Sequence, residues 1–388
     1  MVAFINIWDK RVGAVSWNRE RGLATTEFDE DFAKEGMDLS PIIMPLGELI
    51  KGNRIYSFGN LPKITYKGLP GLLADSLPDR YGNKLINEWL AIQGRSEEDF
   101  NAVDRLCYMG KRGMGALEYE PAILDKEDRS ELINIEELAE LARHVLNERN
   151  KLNPKSCVSD KNTLNEIIRV GTSAGGARAK AVIAINDHTG KIRSGQVDVP
   201  KGFEHWILKF DGINDDRLGE PAGYGKIEYA YHKMARDAGI KMEECRLIKE
   251  NGRAHFMTKR FDRKPGNERI HMQTLCAIAH FDYNDPYSYS YEQLFQIMRK
   301  IKLPYTDAVE MYRRMIFNIV GKNLDDHTKN ISFLLRKNKT WRLSPAYDLI
   351  YNHNPEGKWT RRHQMSVNGK REKINYNDLI TLGKENNI

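Results

Sequence analysis

This sequence has few cysteines and no long apolar segment, and both absences narrow the classes of protein it can belong to. Its four cysteines, among 388 residues, lie far apart and form no Cys-x-x-Cys pair, which argues against a zinc site. Their scarcity is typical of proteins from a reducing cytoplasm. No stretch approaches the roughly 20 apolar residues that span a bilayer, and the N-terminus lacks the features of a signal peptide. We therefore expect a cytoplasmic protein without a membrane partner.

A strong charge imbalance, an internal repeat and a low-complexity tract are also missing. The formal net charge is +6, from 60 Lys and Arg against 54 Asp and Glu, which is compatible with binding nucleotide phosphates or DNA but establishes neither. Hydrophobic residues make up 40% of the chain and charged residues 29%, a composition typical of a packed, water-soluble protein. The length allows two or three domains or one large bilobal body.

The segment that ends at Asp348 carries the most information about chemistry. Asp325 precedes Asn330 by five positions, and a predicted β-hairpin then leads to Asp348. Phosphoryl transfer from ATP uses such a set, in which one carboxylate deprotonates a hydroxyl while an amide and a second carboxylate hold magnesium. The catalytic loop of protein kinases has the same interval between aspartate and asparagine. The pattern therefore predicts a kinase that uses these three residues.

Two neighbours within this segment receive weaker predictions. Asp326 lies only four positions before Asn330, and we interpret it as a bystander. His327 could contact a phosphate or hydrogen-bond within the loop, and the structural role is favoured.

Two other segments could bind the phosphates of ATP. Residues 171–180 read GTSAGGARAK; the glycines would let backbone amides approach the phosphates, and Arg178 or Lys180 would offset their charge. This segment matches neither the P-loop nor the GxGxxG spacing, so an ordinary turn between a helix and a strand stays open. Lys209 is a charged residue within an apolar predicted strand. We expect it to have an anionic partner if it is buried, or to face water on an edge strand.

The rest of the pattern predicts a strand-rich part followed by a helix-rich part, as in a kinase small lobe and large lobe. Helices are expected over residues 80–93, 135–150, 227–238, 291–301 and 306–320, and strands over 181–185, 205–210, 245–248, 254–260, 331–335 and 341–343. Asn251-Gly252 predicts a tight turn between two of these strands. On the last helix, the apolar residues that recur at helical spacing and should face a core are Val309, Tyr312, Ile316 and Ile319.

Taken together and in their order along the chain, the motifs of this sequence resemble those of a known family, the HipA-type serine/threonine kinase toxins of bacterial toxin–antitoxin modules. The resemblance covers nearly the whole chain. Its carriers are LPGLLADSLPDR, MGKRGMGALEYEP, TSAGGARAK, WILKF around Lys209, KRFDR at 259–263, DDHTKN at 325–330 and SPAYDL at 344–349. The combination is far more specific than any one of these motifs.

The resemblance implies an α+β, bilobal, protein-kinase-like fold with a small β-rich N-terminal module packed on the N-lobe. The module would span residues 1–125, the N-lobe with its Gly-rich loop and hinge residues 126–262, and the mainly helical C-lobe residues 263–388. Further helices would be expected after the helix that begins near Asp378, so the C-lobe looks short at its C-terminal end.

The resemblance also implies roles for the candidate residues. Asp325 would be the catalytic base, Asn330 and Asp348 would bind Mg²⁺, and residues 259–261 would line the adenine at the hinge. Lys259 stands where the best-known member of the family has an acid, so side-chain contacts there are an open point. The residues expected to bind ATP are Ser173, Gly175, Gly176, Ala177, Arg178, Lys180, Lys209, Lys259, Phe261 and His327.

Ser173 matches the loop serine that HipA-like kinases phosphorylate on themselves. A phosphate would add about −1.5 to −2 charges there. Because the loop is meant to receive the phosphates of ATP, this charge would switch the enzyme off.

The resemblance finally implies cofactors and partners. The cofactors would be ATP and Mg²⁺, and the substrate a translation-related protein, an aminoacyl-tRNA synthetase in the best-known case, whose phosphorylation arrests growth. A small helix-turn-helix, HipB-like antitoxin would bind the chain and carry it to operator DNA. Two alternatives stay open: a small-molecule kinase of the aminoglycoside type, and a non-catalytic nucleotide-binding co-repressor. The N-terminal module and Ser173 favour the toxin, and the intact catalytic set weighs against a dead kinase.

Overall fold

The computed structural model describes residues 1–123, 130–147, 171, 178–213, 223–357 and 359–388. The chain divides into two units that interleave along the sequence. Unit 1 contains Met1–Asp9, Ser76–Tyr229 and Glu244–Arg269, and unit 2 contains Lys10–Asp75, Ala230–Glu243 and Ile270–Ile388. The predicted domain boundaries near residues 125 and 262 remain predictions.

Both strands and helices occur in the described part of the chain. The strands are β1 (Val2–Ile7), β2 (Lys10–Asn18), β3 (Leu23–Phe28), β4 (Ile55–Tyr56), β5 (Leu117–Glu120), β6 (Lys180–Asn186), β7 (Lys191–Ser194), β8 (Glu204–Lys209), β9 (Cys245–Glu250), β10 (Arg253–Lys259), β11 (Arg263–Lys264), β12 (Glu268–Arg269), β13 (His271–Thr274), β14 (Ser332–Leu335) and β15 (Trp341–Leu343). The helices are α1 (Glu30–Lys34), α2 (Leu46–Ile50), α3 (Lys63–Tyr66), α4 (Gly71–Ala74), α5 (Arg80–Ile92), α6 (Ala102–Met109), α7 (Ile135–Asn147), α8 (Tyr224–Asp237), α9 (Leu275–Ala279), α10 (Tyr291–Lys300), α11 (Tyr305–Val320) and α12 (Tyr376–Glu385).

The main sheet of unit 1 is antiparallel and has the strand order β7-β6-β8-β10-β9. The predicted turn between β9 and β10 is confirmed, because Asn251 and Gly252 both have positive φ, 41° and 79°, as a type I′ hairpin turn requires. β8 lies at the centre of the sheet, with Lys209 opposite Lys180 of β6 and Phe256 of β10. Lys209 is therefore not on an edge strand.

The core of unit 1 is formed by apolar residues from this sheet and from α5, α6 and α7. Its large buried members include Tyr81, Leu85, Trp89, Tyr108 and Trp206. A strand that ends in lysine and is followed by a helix, α8, is the order of elements in a kinase small lobe. The predicted α+β, kinase-like fold class is confirmed.

A buried charge cluster fixes the segment that follows β10. Asp262 accepts hydrogen bonds from Arg260, at 2.8 and 2.6 Å, and from Arg263 at 2.9 Å. It also accepts the backbone N–H of Gly115 at 2.8 Å, and Arg263 donates to the carbonyl oxygens of Gly113 and Gly115. The loop at residues 113–115 and the predicted hinge segment are therefore held together by charged hydrogen bonds within unit 1.

Replacing Asp262 by asparagine should destabilise unit 1 by about 3–5 kcal/mol, because two buried guanidinium groups would lose their counter-ion. Urea unfolding checks this. Burial alone would raise the pKa of Asp262, but Arg260 and Arg263 outweigh it and hold this pKa well below its usual range. The stabilisation is therefore present above the unfolded pKa of about 4 and is lost as the pH falls towards the folded value.

A matched control for this variant is Asp187→Asn. Asp187 pairs with Arg246 at 2.7 Å, but it is exposed, so its loss should cost at most about 1 kcal/mol. Equal effects from the two substitutions would contradict the assigned role of the buried cluster.

Unit 2 contains the predicted hairpin beside the candidate catalytic loop. β14 and β15 pair antiparallel, with Phe333 opposite Leu343 and Leu335 opposite Trp341. β13 pairs with the other edge of β14. The hairpin expected over residues 331–335 and 341–343 is thus confirmed.

The face of α11 that points into unit 2 differs from the prediction. The buried residues of this helix are Asp307, Glu310, Met311, Arg314, Met315 and Asn318. Asp307 accepts two hydrogen bonds from Arg342 of β15, at 2.9 and 2.8 Å, and Arg314 donates to Glu310 at 2.9 Å. Because these ion pairs occupy the core face, the apolar stripe containing Val309, Tyr312, Ile316 and Ile319 is only half-buried, and the prediction was wrong.

None of the described helices combines the length and the apolar content that crossing a membrane demands.

Candidate active site

The predicted catalytic loop is a short irregular segment that ends in a 3₁₀ turn, Thr328–Asn330. The side-chain amide nitrogen of Asn330 donates to the backbone carbonyl of Asp325 at 2.8 Å, and its backbone N–H donates to the carbonyl of His327 at 2.9 Å. Since the Asn330 nitrogen is used inside the loop, its amide oxygen is the atom suited to bind a cation. The hydrogen bond from the Asn330 side chain to the Asp325 carbonyl explains why the two residues lie five positions apart.

Asp325 has an exposed carboxylate on a fixed backbone. Its side chain is 41% exposed. The backbone N–H groups of Leu324 and Asp325 both donate to the side-chain oxygen of Asn352, at 2.6 and 3.3 Å. A reacting group could therefore approach this carboxylate from solvent without unfolding the loop.

His327 lies beside this carboxylate. Its Nε2 atom is 3.9 Å from an Asp325 carboxylate oxygen, and its ring centroid is 5.5 Å from that of Tyr283. These contacts agree with the favoured role within the loop, and a contact with a phosphate stays a prediction.

Tyr347, the residue before Asp348, is hydrogen-bonded to the catalytic loop. The hydroxyl of Tyr347 donates to the carbonyl of Lys329 at 2.7 Å and also contacts the hydroxyl of Ser332. Burial raises the pKa of Tyr347 far above its usual value, so this hydroxyl keeps its proton. Asp348 itself has φ of 53°, a left-handed conformation that non-glycine residues rarely adopt and that concentrates at functional sites.

The amide oxygen of Asn330 and the carboxylate of Asp348 suit a magnesium ion. Mg²⁺ prefers oxygen ligands, and in nucleotide sites it is held by one or two protein carboxylates, phosphates and water. Across the described residues, no group of three or more His, Cys, Asp or Glu could form a closed metal cage. The donor set therefore fits a cation that arrives with a nucleotide better than a resident structural metal.

Asp326, which the spacing predicts to be a bystander in the chemistry, has structural contacts of its own. Its buried carboxylate accepts hydrogen bonds from the Tyr291 hydroxyl at 2.8 Å, from Nδ1 of His363 at 3.0 Å and from the backbone N–H of Gln364 at 2.7 Å. No local sequence signal identifies these partners, because they lie 35 to 38 positions away.

In unit 1, Lys209 forms an ion pair with Glu228 of α8 at 2.6 Å. The two side chains are 18% and 10% exposed, so the anionic partner expected for a buried lysine is confirmed. Protein kinases use such a pair, a strand lysine and a helix glutamate, to hold the lysine against the phosphates of ATP. The sequence pattern did not identify Glu228, which lies 19 positions after Lys209.

Of the predicted glycine-rich loop, the structure describes Gly171 and residues 178–180. Ser173, Gly175, Gly176 and Ala177 lie outside the described residues. Arg178 places its guanidinium carbon 3.6 Å from the centroid of the Tyr224 ring.

Lys180 is buried and forms an ion pair with Asp79 at 3.1 Å. This contact gives Lys180 a structural partner within unit 1, and its contact with ATP stays a prediction.

At the predicted hinge, Lys259 pairs with Glu204 across the sheet, and Phe261 is half-buried. The next residue is Asp262, whose charge cluster fixes the segment. At the hinge we therefore expect an adenine to contact the backbone of these residues more than their side chains.

Comparisons with known proteins agree on one family. The model of the HipA-like C-terminal domain matches residues 172–387, and that of the HipA N-terminal domain matches residues 3–120. A solved complex of HipA, HipB and operator DNA from Shewanella oneidensis MR-1 superposes with a TM-score of 0.68 at 19% identity, covering 100% of this chain and 85% of that one. This likeness shows a shared fold.

Two curated proteins from Sinorhizobium fredii are also similar in sequence. "Putative kinase Y4dM" is 27% identical over 157 residues, 37% of each chain, and "Putative kinase Y4mE" is 26% identical over 127 residues, 30% of each chain. The matches thus span only about a third of these relatives.

Proposed function

Because this chain belongs to the HipA family, we propose that it is an ATP- and Mg²⁺-dependent protein serine/threonine kinase that acts as a cytoplasmic toxin. The observation that carries the proposal is the Lys209–Glu228 ion pair on a kinase-like sheet. Lys209 ends a central strand of the sheet, and its partner Glu228 lies in α8, the next helix among the described residues. Held by Glu228, the Lys209 ammonium would be positioned to contact nucleotide phosphates.

The catalytic loop supplies the other proposed roles. Asp325 would orient a serine or threonine hydroxyl and accept its proton as the hydroxyl oxygen attacks the γ-phosphorus. The bond between the γ-phosphorus and the β–γ bridging oxygen would break, and ADP would leave with that oxygen. Asn330 and Asp348 would bind Mg²⁺, which neutralises charge on the phosphates when bound. The exposure of Asp325 supports its role, because a protein substrate must reach it from solvent.

Ser173 is the proposed site of autophosphorylation. The experiment is incubation of the purified chain with γ-³²P-labelled ATP and Mg²⁺, followed by mapping of the labelled peptide. We expect label on Ser173, none in the Ser173→Ala variant, and none with EDTA. Absence of label from both the chain and added cytoplasmic proteins would contradict a kinase, and label that enters only small molecules would favour the aminoglycoside-type alternative.

The proposed partner is a small HipB-like helix-turn-helix protein. The solved relative from Shewanella oneidensis is a complex with HipB and operator DNA, and the same kind of assembly is proposed for this chain. The substrate is proposed to be a translation-related protein, of which an aminoacyl-tRNA synthetase is one candidate.

A further inference from the structure

Asp326 belongs to a chain of hydrogen bonds that passes around the catalytic loop within unit 2. The Tyr291 hydroxyl, which donates to Asp326, accepts from Asn318 at 3.1 Å, and Asn318 in turn accepts from Asn323 at 2.9 Å. Asn323 accepts from Asn352 at 3.2 Å. The side-chain oxygen of Asn352 then accepts the backbone N–H groups of Leu324 and Asp325.

This series of hydrogen bonds begins at Asp326 and ends at Asp325, its neighbour in the sequence. The network holds the side chain of Asp326 at one end and the backbone N–H groups of Leu324 and Asp325 at the other. The backbone of Asp325 is therefore held on both sides of its side chain. The members Tyr291, Asn318, Asn323, Asp326, His363 and Gln364 are all buried. Gln364 joins the network through its backbone N–H, while its side-chain oxygen has no hydrogen-bond partner among the described residues. Buried polar networks favour the conformation that pairs their donors with acceptors, since any other leaves more polar groups unsatisfied.

The carboxylate of Asp326 is the charged member of this network. Both of its oxygens accept hydrogen bonds: Oδ1 from the backbone of Gln364, and Oδ2 from Tyr291 and His363. The pKa of Tyr291 is raised by burial and by the charge of Asp326, so its hydroxyl remains a donor. Hydrogen bonds to an ionised carboxylate are about twice as strong as neutral ones.

We propose that Asp326 is a positioning residue, which fixes the backbone so that the carboxylate of Asp325 points towards the substrate hydroxyl. The proposal rests on the proposed function of Asp325. It assigns Asp326 no contact with substrate or nucleotide. Displacing a catalytic group by about 1 Å can cost about a hundredfold in rate, which sets the size of the effect.

The test variant is Asp326→Asn, which keeps the shape and removes the charge. Its amide must present an N–H₂ group to one of the donors, either the Gln364 backbone or the Tyr291 and His363 pair. We expect phosphoryl transfer to fall about 10- to 100-fold with unchanged affinity for Mg-ATP. The N–H groups of Leu324 and Asp325 should exchange with solvent at least tenfold faster, measured by NMR on the full chain.

A second substitution should restore part of the loss. In Asp326→Asn/His363→Asn, the new side chain offers an oxygen close to where Nδ1 of the imidazole lay, so an amide pair can form. We expect slower exchange and faster transfer than in the single variant. If Asp326→Asn does not fold, Tyr291→Phe takes its place. It removes only one hydroxyl, and it should lower the rate of phosphoryl transfer severalfold.

The control is Asp307→Asn, a buried aspartate of the same unit that pairs with Arg342 outside this network. It should lower the melting temperature without accelerating exchange at Leu324 and Asp325. Unchanged exchange at these two residues in Asp326→Asn would overturn the proposal, as would a parallel loss of transfer, ATP affinity and melting temperature. If the wild type transfers no phosphate, the proposed function fails, and the exchange measurement alone decides the role of Asp326.

Discussion

Asp325→Asn should lower the rate of phosphoryl transfer by about 10²- to 10⁴-fold, the usual contribution of a general base. An asparagine has the same size but cannot accept the hydroxyl proton. ATP affinity should not change, because the carboxylate acts on the acceptor and is proposed neither to bind the metal nor to touch the nucleotide. Single-turnover transfer from γ-³²P-labelled ATP, with calorimetry for binding, measures both quantities.

The matched control is Asp9→Asn, in an exposed turn where φ is 63°. Asparagine adopts this conformation as readily as aspartate, so neither transfer nor stability should change. Full activity in Asp325→Asn would show that another group accepts the proton, and equal losses of transfer and ATP affinity would place Asp325 at the nucleotide instead.

Asp348→Asn should weaken the binding of Mg-ATP at least tenfold, on the scale known for changes around metal ligands. The carboxylate would lose the charge with which it binds Mg²⁺. Asparagine is the appropriate replacement because φ is 53° at this position, and it tolerates this region where alanine would add backbone strain. Calorimetry should show that Mg²⁺ tightens ATP binding to the wild type but barely to the variant.

A dependence on Mg²⁺ that survives in Asp348→Asn would contradict the metal role. The Glu228→Gln variant separates this effect from phosphate binding by Lys209. It should weaken ATP both with and without Mg²⁺, since the lysine would lose the partner that holds it.

Local patterns in the sequence predicted the elements of the fold well. The Asn251-Gly252 turn and the hairpin of β14 and β15 are determined by turn residues and by alternation of apolar residues, which act over a few positions. The buried face of α11 was predicted wrongly because apolar periodicity assumes that polar residues face water. Here Asp307 is buried by an ion pair with Arg342, which lies 35 positions away, and Arg314 by an ion pair with Glu310 one turn earlier on the same helix.

The same distinction between local patterns and long-range contacts applies to the candidate site. The spacing of Asp325 and Asn330 was visible because one hydrogen bond within the loop requires it. Glu228 and the partners of Asp326 were missed because their contacts join segments 19 to 38 positions apart. Sequence spacing carries no information at that range without knowledge of the packing, and an aspartate next to the base appears redundant until its three donors are seen.

The most direct test of the account is labelling with an acyl phosphate of ATP, which acylates lysines that lie beside the bound phosphates. We predict that mass spectrometry will find the label on Lys209, that excess ATP will prevent it, and that Glu228→Gln will reduce it. Label that is confined to other lysines, or that forms on Lys209 equally with and without competing ATP, would contradict the account.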